Sequence, residues 1–362
     1  MTGRDQALTA IGRYLQTGHC QPPVGNWQPI IALADEQWIT PALWSGTDHR
    51  NLPEPVADYV RQLHRLNASR NHHLHRQLLE AIGSLNQAGI EPVLLKGAIH
   101  LIDKYYPDPA ARVMTDLDLL IEPGQIGTAI AALAALGYRA IPDPDNEFSG
   151  HHHTRPLFRA GDYGAIELHT EPLSLPAANI LSADRVRSSC RCLTVEGVRL
   201  QIPSVTVQVL QLLLHSQWSD RHHALGAINL RALYELSVIR RHHDPAIDWP
   251  WIAERMVGHR QRPMLSAWLY SARQLFGCPL PPGIEPGWRD RWHYRRCRWQ
   301  LQFGLTEPMA RLYWVVNRFS AMSIRRHYPD SRLPLIVNRL RYLFFYGRHR
   351  LTALIDHCRS LP

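Results

Sequence analysis

The chain has 362 residues, 45% hydrophobic and 20% charged, so it can build a large core and is too apolar and too weakly charged to be disordered. Its formal charge of +9 is uneven: residues 289–362 hold 15 Arg against 4 acids, a net +11, which leaves −2 for the first 288. No apolar run reaches 18 residues and "MTGRDQALTA" lacks the apolar stretch of a signal peptide, so a soluble, cytoplasmic protein with no membrane partner is expected.

Residues 1–90 read as helical. Val60, Leu63, Leu66, Leu74, Leu78, Leu79, Ile82 and Leu85 recur at three- and four-residue spacing, and Gly89 can cap the end. "PVLLKG" (92–97) is a short strand, "AIHLIDKYY" a helix stopped by Pro107 and Pro109, and "LDLLIEP" (117–123) a second strand. "PGQIGTAIAALAALGY" is a helix ending at Gly137. Residues 157–172 and 191–203 read as hairpins, the second turning at Glu196–Gly197. Ser204 and Asp248 are N-caps of later helices, and Pro250 fits a first turn. These elements predict an α+β protein: a helical region over 1–90, a mixed-sheet core over 91–203, and a helical domain over 204–362.

The strand "TDLDLL" carries two carboxylates where the pattern asks for leucine. Residues i and i+2 share a strand face, so Asp116 and Asp118 project together, away from Leu117 and Leu119. Two adjacent carboxylates repel unless a cation sits between them, and a divalent metal is the simplest one. Glu167 in "AIELH" breaks the apolar run of its own strand in the same way. If the two strands are neighbours, the three acids form a cluster able to hold two metals for phosphoryl or nucleotidyl transfer. Lys96 and Gly97 sit where a strand passes into a helix, a place that suits phosphate; Lys96 is one of only two lysines against 38 Arg. Arg112 can clamp a phosphate or pair with Asp116 or Asp118. The non-catalytic alternative has Asp116 capping a turn and Asp118 paired with Arg112.

The combination Leu95-Lys96-Gly97, Tyr106-Pro107, Arg112, Asp116-Leu117-Asp118 and Glu167-Leu168-His169 resembles a bacterial nucleotidyltransferase family of the DNA polymerase β-like superfamily, over roughly residues 80–280. The resemblance implies a small, twisted mixed sheet and magnesium-dependent transfer of a nucleoside monophosphate from a nucleoside triphosphate to a hydroxyl. By position, Asp116, Asp118 and Glu167 would be the catalytic acids and ligate two magnesium ions, with manganese as an alternative. Lys96, Gly97 and Arg112 would hold the triphosphate. Relatives are associated with tailoring of ribosomal peptides, lasso peptides included, so the acceptor is expected to be a peptide or small molecule and the donor a nucleoside triphosphate or nucleotide sugar. The chain departs from the wider pattern in having Lys-Gly for Gly-Ser at the phosphate turn, Thr170 after the ELH motif, and Glu235 where Asp is expected.

Among the 21 histidines, His169 shares the strand face of Glu167, and His152 and His153 precede that hairpin; these three are the candidates for the substrate or for support of the acids. The adjacent histidines His151–His153, His222–His223 and His242–His243 are poor zinc sites. His215 and Trp218 are expected at a domain interface. Six scattered cysteines without a CxxC pair read as reduced. "WRDRWHYRRCRWQ" (288–300) reads as an amphipathic helix with buried aromatics and a solvated basic face, and "RYLFFYGRHR" (341–350) as a helix packing its aromatics. Two further functions stay open: glycosyl or phosphoryl transfer on the same scaffold, and a module binding RNA or an acidic partner through the basic helices.

Overall fold

Three helices open the chain: α1 (Gly3–Thr17), α2 (Gln28–Glu36) and α3 (Thr40–Ser45). They lead into α4 (Glu54–Gln87), the longest element. The computed structural model describes residues 3–18, 26–45, 52–103, 105–141, 152–259, 261–321, 324–325, 328 and 331–344. His151, Cys20, Cys358 and residues 345–350 of the last aromatic stretch lie outside them. The chain divides into two compact units, 1–303 and 304–362.

The first unit is built on a seven-stranded mixed sheet. Its strands are β1 (Val93–Leu94), β2 (Asp116–Leu120), β3 (Arg139–Ala140), β4 (Leu157–Phe158), β5 (Ala165–His169), β6 (Arg191–Val195) and β7 (Val198–Ile202), in the order β3-β4-β5-β2-β1-β7-β6. β2 is central. It runs antiparallel to β1 and parallel to β5. Both expected hairpins form, and the tight turn between β6 and β7 uses Glu196 and Gly197 at positive φ. The expected 92–97 strand is only two residues long, although Leu95 N–H still donates to Asp118 O at 3.0 Å.

Helices α5 (Gly97–Ile102), α6 (Ile126–Ala135) and α7 (Ala183–Ser188) connect the strands. The second half adds α8 (Val205–Leu213), α9 (His222–Leu225), α10 (Leu230–His243), α11 (Trp249–Arg255), α12 (Gln261–Phe276) and α13 (Trp288–Gln302). Ser204 and Asp248 cap as expected, accepting from Val207 N–H at 3.4 Å and Trp251 N–H at 2.9 Å. The helix that Ser204 caps continues past Leu213 as a π-helix over Leu214–Ser219. One hydrophobic core runs through the unit, from Leu8 and Ile11 through Leu117, Leu119 and Leu210 to Trp268 and Leu301.

The α4 stripe differs from the sequence reading in one informative way. Leu66 is 59% exposed, and the neighbouring Asn67 is buried instead. Asn67 Nδ2 donates to Ala110 O (2.6 Å) and Arg112 O (2.9 Å); one turn on, Asn71 Nδ2 donates to Pro109 O (2.8 Å) and Arg112 O (2.9 Å). Arg70 reaches Met114 O, and Gln77 reaches Gly164 O. A loop without ladder partners needs side-chain donors for its buried carbonyls. The polar face of α4 supplies them and so fixes the entries to β2 and β5.

In the second unit, α14 (Thr306–Arg318) is followed by helical residues 335–344, where Tyr342 is buried against Phe319 while Leu343 and Phe344 are exposed. The packing of the aromatics is therefore partial. In α13, back in the first unit, the basic face is solvated at Arg289, Arg291 and Arg295 as expected, but of its aromatics only Tyr294 is buried: Trp288, Trp292 and Trp299 are more than half exposed, and the buried face also carries Asp290, Cys297, Gln300 and Leu301. Asp290 and Gln300 go inward because they have partners there, Ser266 Oγ at 2.6 Å and Leu225 O at 3.0 Å. Cys190, Cys192, Cys278 and Cys297 are free thiols. No described helix is long and apolar enough to cross a membrane.

Candidate active site

In β2, Leu117 and Leu119 are fully buried on one face, which turns Asp116 and Asp118 to the other. The parallel register sets Asp118 opposite Glu167 and Leu120 opposite His169. Residues opposed across a ladder share a face. Asp116, Asp118, Glu167 and His169 thus project from one surface.

Asp118, 1% exposed, is the hub. Its Oδ1 accepts from Lys96 Nζ at 2.6 Å and from His169 Nε2 at 2.7 Å, and His169 Nε2 also lies 3.5 Å from Glu167 Oε2. Burial alone would raise the Asp118 carboxyl, but the charge of Lys96 and the hydrogen bond from His169 hold it far below the usual range. Glu167 is likewise held low against burial by the bond from His169. Asp116 goes the other way: burial and the negative charge of Asp118 push it up. Lys96 and His169 both hold their protons more tightly because Asp118 outweighs burial.

Asp118, Glu167 and His169 each offer a ligand atom, all within 4.8 Å of one another. Two carboxylate oxygens held anionic suit a hard divalent cation such as magnesium, and the imidazole nitrogen also suits manganese. The residues therefore fit a divalent ion. His169 stands in this tight set and Asp116 beside it, on the same face. His152 and His153 pack their rings on His169 with centroids 5.4 and 5.1 Å away, which gathers all three candidate histidines at the Glu167 end.

At the other end, Lys96 takes φ 47° and ψ −125°, a conformation that costs a non-glycine residue on the order of 1–3 kcal/mol and that clusters at functional sites. Gly97 follows, and a Cβ there would come within 2.5 Å of Arg112 Nη1. The glycine thus makes room for the guanidinium. Arg112 pairs with neither aspartate: its Nε donates to Glu235 Oε2 at 3.0 Å. Glu235 Oε1 accepts from His100 Nε2 at 2.9 Å. Burial pushes His100 below its ordinary range, so it donates as a neutral imidazole, while the charge of Arg112 holds Glu235 well below the carboxylate range despite burial. The salt bridge expected from Arg112 to Asp116 or Asp118 is replaced by this one because α10 brings a buried acid to the guanidinium.

A pocket of about 140 Å³ opens between the Asp116–Asp118 strand, the Lys96–Gly97 turn, the π-helix and the start of α10. Lys96, Gly97, Arg112, Asp116 and Asp118 line it, and Glu167, His152, His153 and His169 do not. His215 also lines it, with Nδ1 3.2 Å from Asp220 Oδ2. Sequence reasoning missed Glu235 as a pocket residue, together with His100, Arg231 and Asp220. Two signals were available: Glu235 stands where the resemblance expects Asp, and Arg231 and Glu235 lie at i and i+4 in the mainly apolar stretch Leu230–Ile239.

The family described as "uncharacterised nucleotidyltransferase" matches residues 23–277. Neither the curated proteins nor the solved structures gave a match.

Proposed function

Since the chain belongs to this nucleotidyltransferase family and so is a transferase of nucleotidyl groups, we propose that it moves a nucleoside monophosphate from a nucleoside triphosphate to a hydroxyl or phosphate of a peptide or small molecule, with magnesium. The observation that carries this reading is the in-register pairing of Asp118 with Glu167, with Asp116 on the same face at the pocket. Asp116, Asp118 and Glu167 are the ligands in this reading, and His169 orients two of them. Magnesium held there would polarise the phosphoryl oxygens and offset their negative charge. Lys96, Gly97 and Arg112, on the pocket wall, hold the donor's phosphates. His152 and His153, packed on His169, face the acceptor side. A ribosomal peptide of the lasso type is the acceptor class to try first.

The test follows mass and pyrophosphate. Full-length protein is incubated with each nucleoside triphosphate, magnesium and a panel of hydroxyl- and phosphate-bearing peptides. The expected result is a product heavier by one nucleotide and an equal amount of pyrophosphate. A hexose or a single phosphate added instead would move the protein to glycosyl or phosphoryl transfer. Asp116→Asn and Glu167→Gln are better probes than changes at the buried Asp118, and each should lower turnover by on the order of 100-fold or more. Undiminished turnover in both would sink the mechanism.

A further inference from the structure

The charged groups of the pocket pair off almost completely. Lys96 is matched with Asp118, Arg112 with Glu235, and His215 with Asp220. Two lining groups make no ion pair among the described residues: Asp116, whose oxygen accepts only from Thr115 Oγ1, and Arg231. Arg231 also makes no hydrogen bond among them. It sits two residues after the Asn229 cap, at the head of α10, partly buried. Burial, and next the positive charge of Arg112, lower its proton affinity; Glu235, Asp116 and Tyr106 act in the opposite sense and do not offset them. Glu235 is already committed to Arg112 and His100. A partly buried guanidinium that opens onto the pocket beside a second guanidinium, without a protein partner among the described residues, is an arrangement that an anion in the pocket would complete.

We infer that Arg231 is a phosphate-binding residue of this pocket, taking a ligand phosphate through the planar donor fork that its neighbours leave unused. Arg112, held in place by Glu235, contributes charge on the same wall. The inference rests on the reading of the pocket as a nucleotidyl-transfer site and extends it. The single unpaired carboxylate, Asp116, and the single unpaired cation, Arg231, mark the two ends of a ligand that carries both a metal ion and a phosphate. Two sources supply that phosphate: the polyphosphate of the donor, or a phosphate on the acceptor.

Binding can be read without turnover. Full-length wild type and Arg231→Gln are titrated with inorganic tripolyphosphate in the presence of EDTA, and inorganic phosphate is then titrated onto the tripolyphosphate-saturated protein. Wild type should bind tripolyphosphate, and the variant should bind whichever anion fills the subsite roughly tenfold or more weakly, with Arg231→Lys in between. If the donor fills the subsite, saturating tripolyphosphate excludes phosphate and Arg231→Gln weakens tripolyphosphate. If the acceptor's phosphate fills it, phosphate binds beside tripolyphosphate in wild type and is lost in Arg231→Gln. Without ligand, Arg231→Gln should melt no lower than wild type, because an unpartnered buried charge is removed. Equal affinity of wild type and variant for both anions overturns the assignment, as does absence of binding by wild type. A lowered melting temperature of the ligand-free variant overturns it too, since Arg231 would then be holding the fold. Should the assignment fail while Asp116→Asn still abolishes transfer, only this subsite is lost.

Discussion

Replacing Glu235 by Gln should unsettle the pocket from behind. Glu235 has a side chain 6% exposed and bonds two groups, Arg112 (10% exposed) and His100 (4% exposed). The substitution keeps the shape and removes the charge, so Arg112 stays buried with no counterion and with Arg231 nearby. Removing one partner of a buried pair costs about 3–5 kcal/mol. Arg112 also lines the pocket, so water reaches part of it and the lower end applies, about 3 kcal/mol. In a unit spanning residues 1–303 that lowers the melting temperature by about 5 °C. Urea titration followed by far-ultraviolet circular dichroism gives the midpoint, and the slope shows whether unfolding remains cooperative. The paired change Glu235→Leu with Arg112→Met, which removes both charges, should recover more than half of the loss. If Glu235→Gln unfolds within about 1 kcal/mol of wild type, or the double variant is no better, Glu235 is not the counterion that holds Arg112.

The remaining predictions are narrower. Gly97→Ala should destabilise by about 1–3 kcal/mol, because its new Cβ would press on an Arg112 terminal nitrogen that Glu235 holds in place; a denaturation midpoint equal to that of wild type would mean the turn has room to spare. The rings of His223 and His293 stack with centroids 4.2 Å apart, and burial followed by the charges of His223 and Arg296 pushes His293 down to about 3. His223 is lowered as well, by burial first and then by Arg296. In the unfolded chain both titrate near 6.5, so between pH 7 and pH 5 the unfolded state takes up protons that the folded pair refuses. Stability should therefore fall over that window by about 2 kcal/mol from His293, with His223 adding in the same direction. Melting at the two pH values should show a smaller drop in His293→Phe than in wild type; equal drops would refute the assignment. Asn71→Ala should free the Pro109 carbonyl, leave Arg112 O with Asn67 alone, and cost about 1–3 kcal/mol by the same denaturation assay, with no effect meaning that water replaces the amide.

The acids of the candidate site were legible because a strand has a period of two. A carboxylate at every second position of "DLD", and a lone glutamate in "AIELH", stand out against leucine without any knowledge of the fold. Their adjacency was a conditional inference, and the parallel ladder between β2 and β5 supplies the condition. The helices were harder. A helix buries whichever face has partners, and the partners are remote in sequence. On α4 the sequence pattern suggested leucine at 66, yet the loop carrying Arg112 needs donors, so Asn67 and Asn71 turn inward. On α13, tryptophan outweighs aspartate in apolar area, yet Asp290 is the buried one, because Ser266 Oγ and the Gly287 N–H both donate to it.

Glu235 is the sharpest case. Read along the chain, it is a longer acid where a shorter one was expected, with no indication of what the extra methylene does. In space it spans from α10 to two groups, His100 and Arg112, that lie 135 and 123 residues away. A carboxylate that bonds both can fix the guanidinium beside the Lys96–Gly97 turn while accepting from His100, which burial keeps neutral behind it. Shortening the side chain by one methylene withdraws its oxygens by about 1.5 Å, enough to break hydrogen bonds of 2.9 and 3.0 Å unless α10 moves toward the sheet. The choice of glutamate over aspartate is thus coupled to the spacing between helix and sheet. Glu235→Asp should behave as a partial version of Glu235→Gln, retaining the charge and losing the reach.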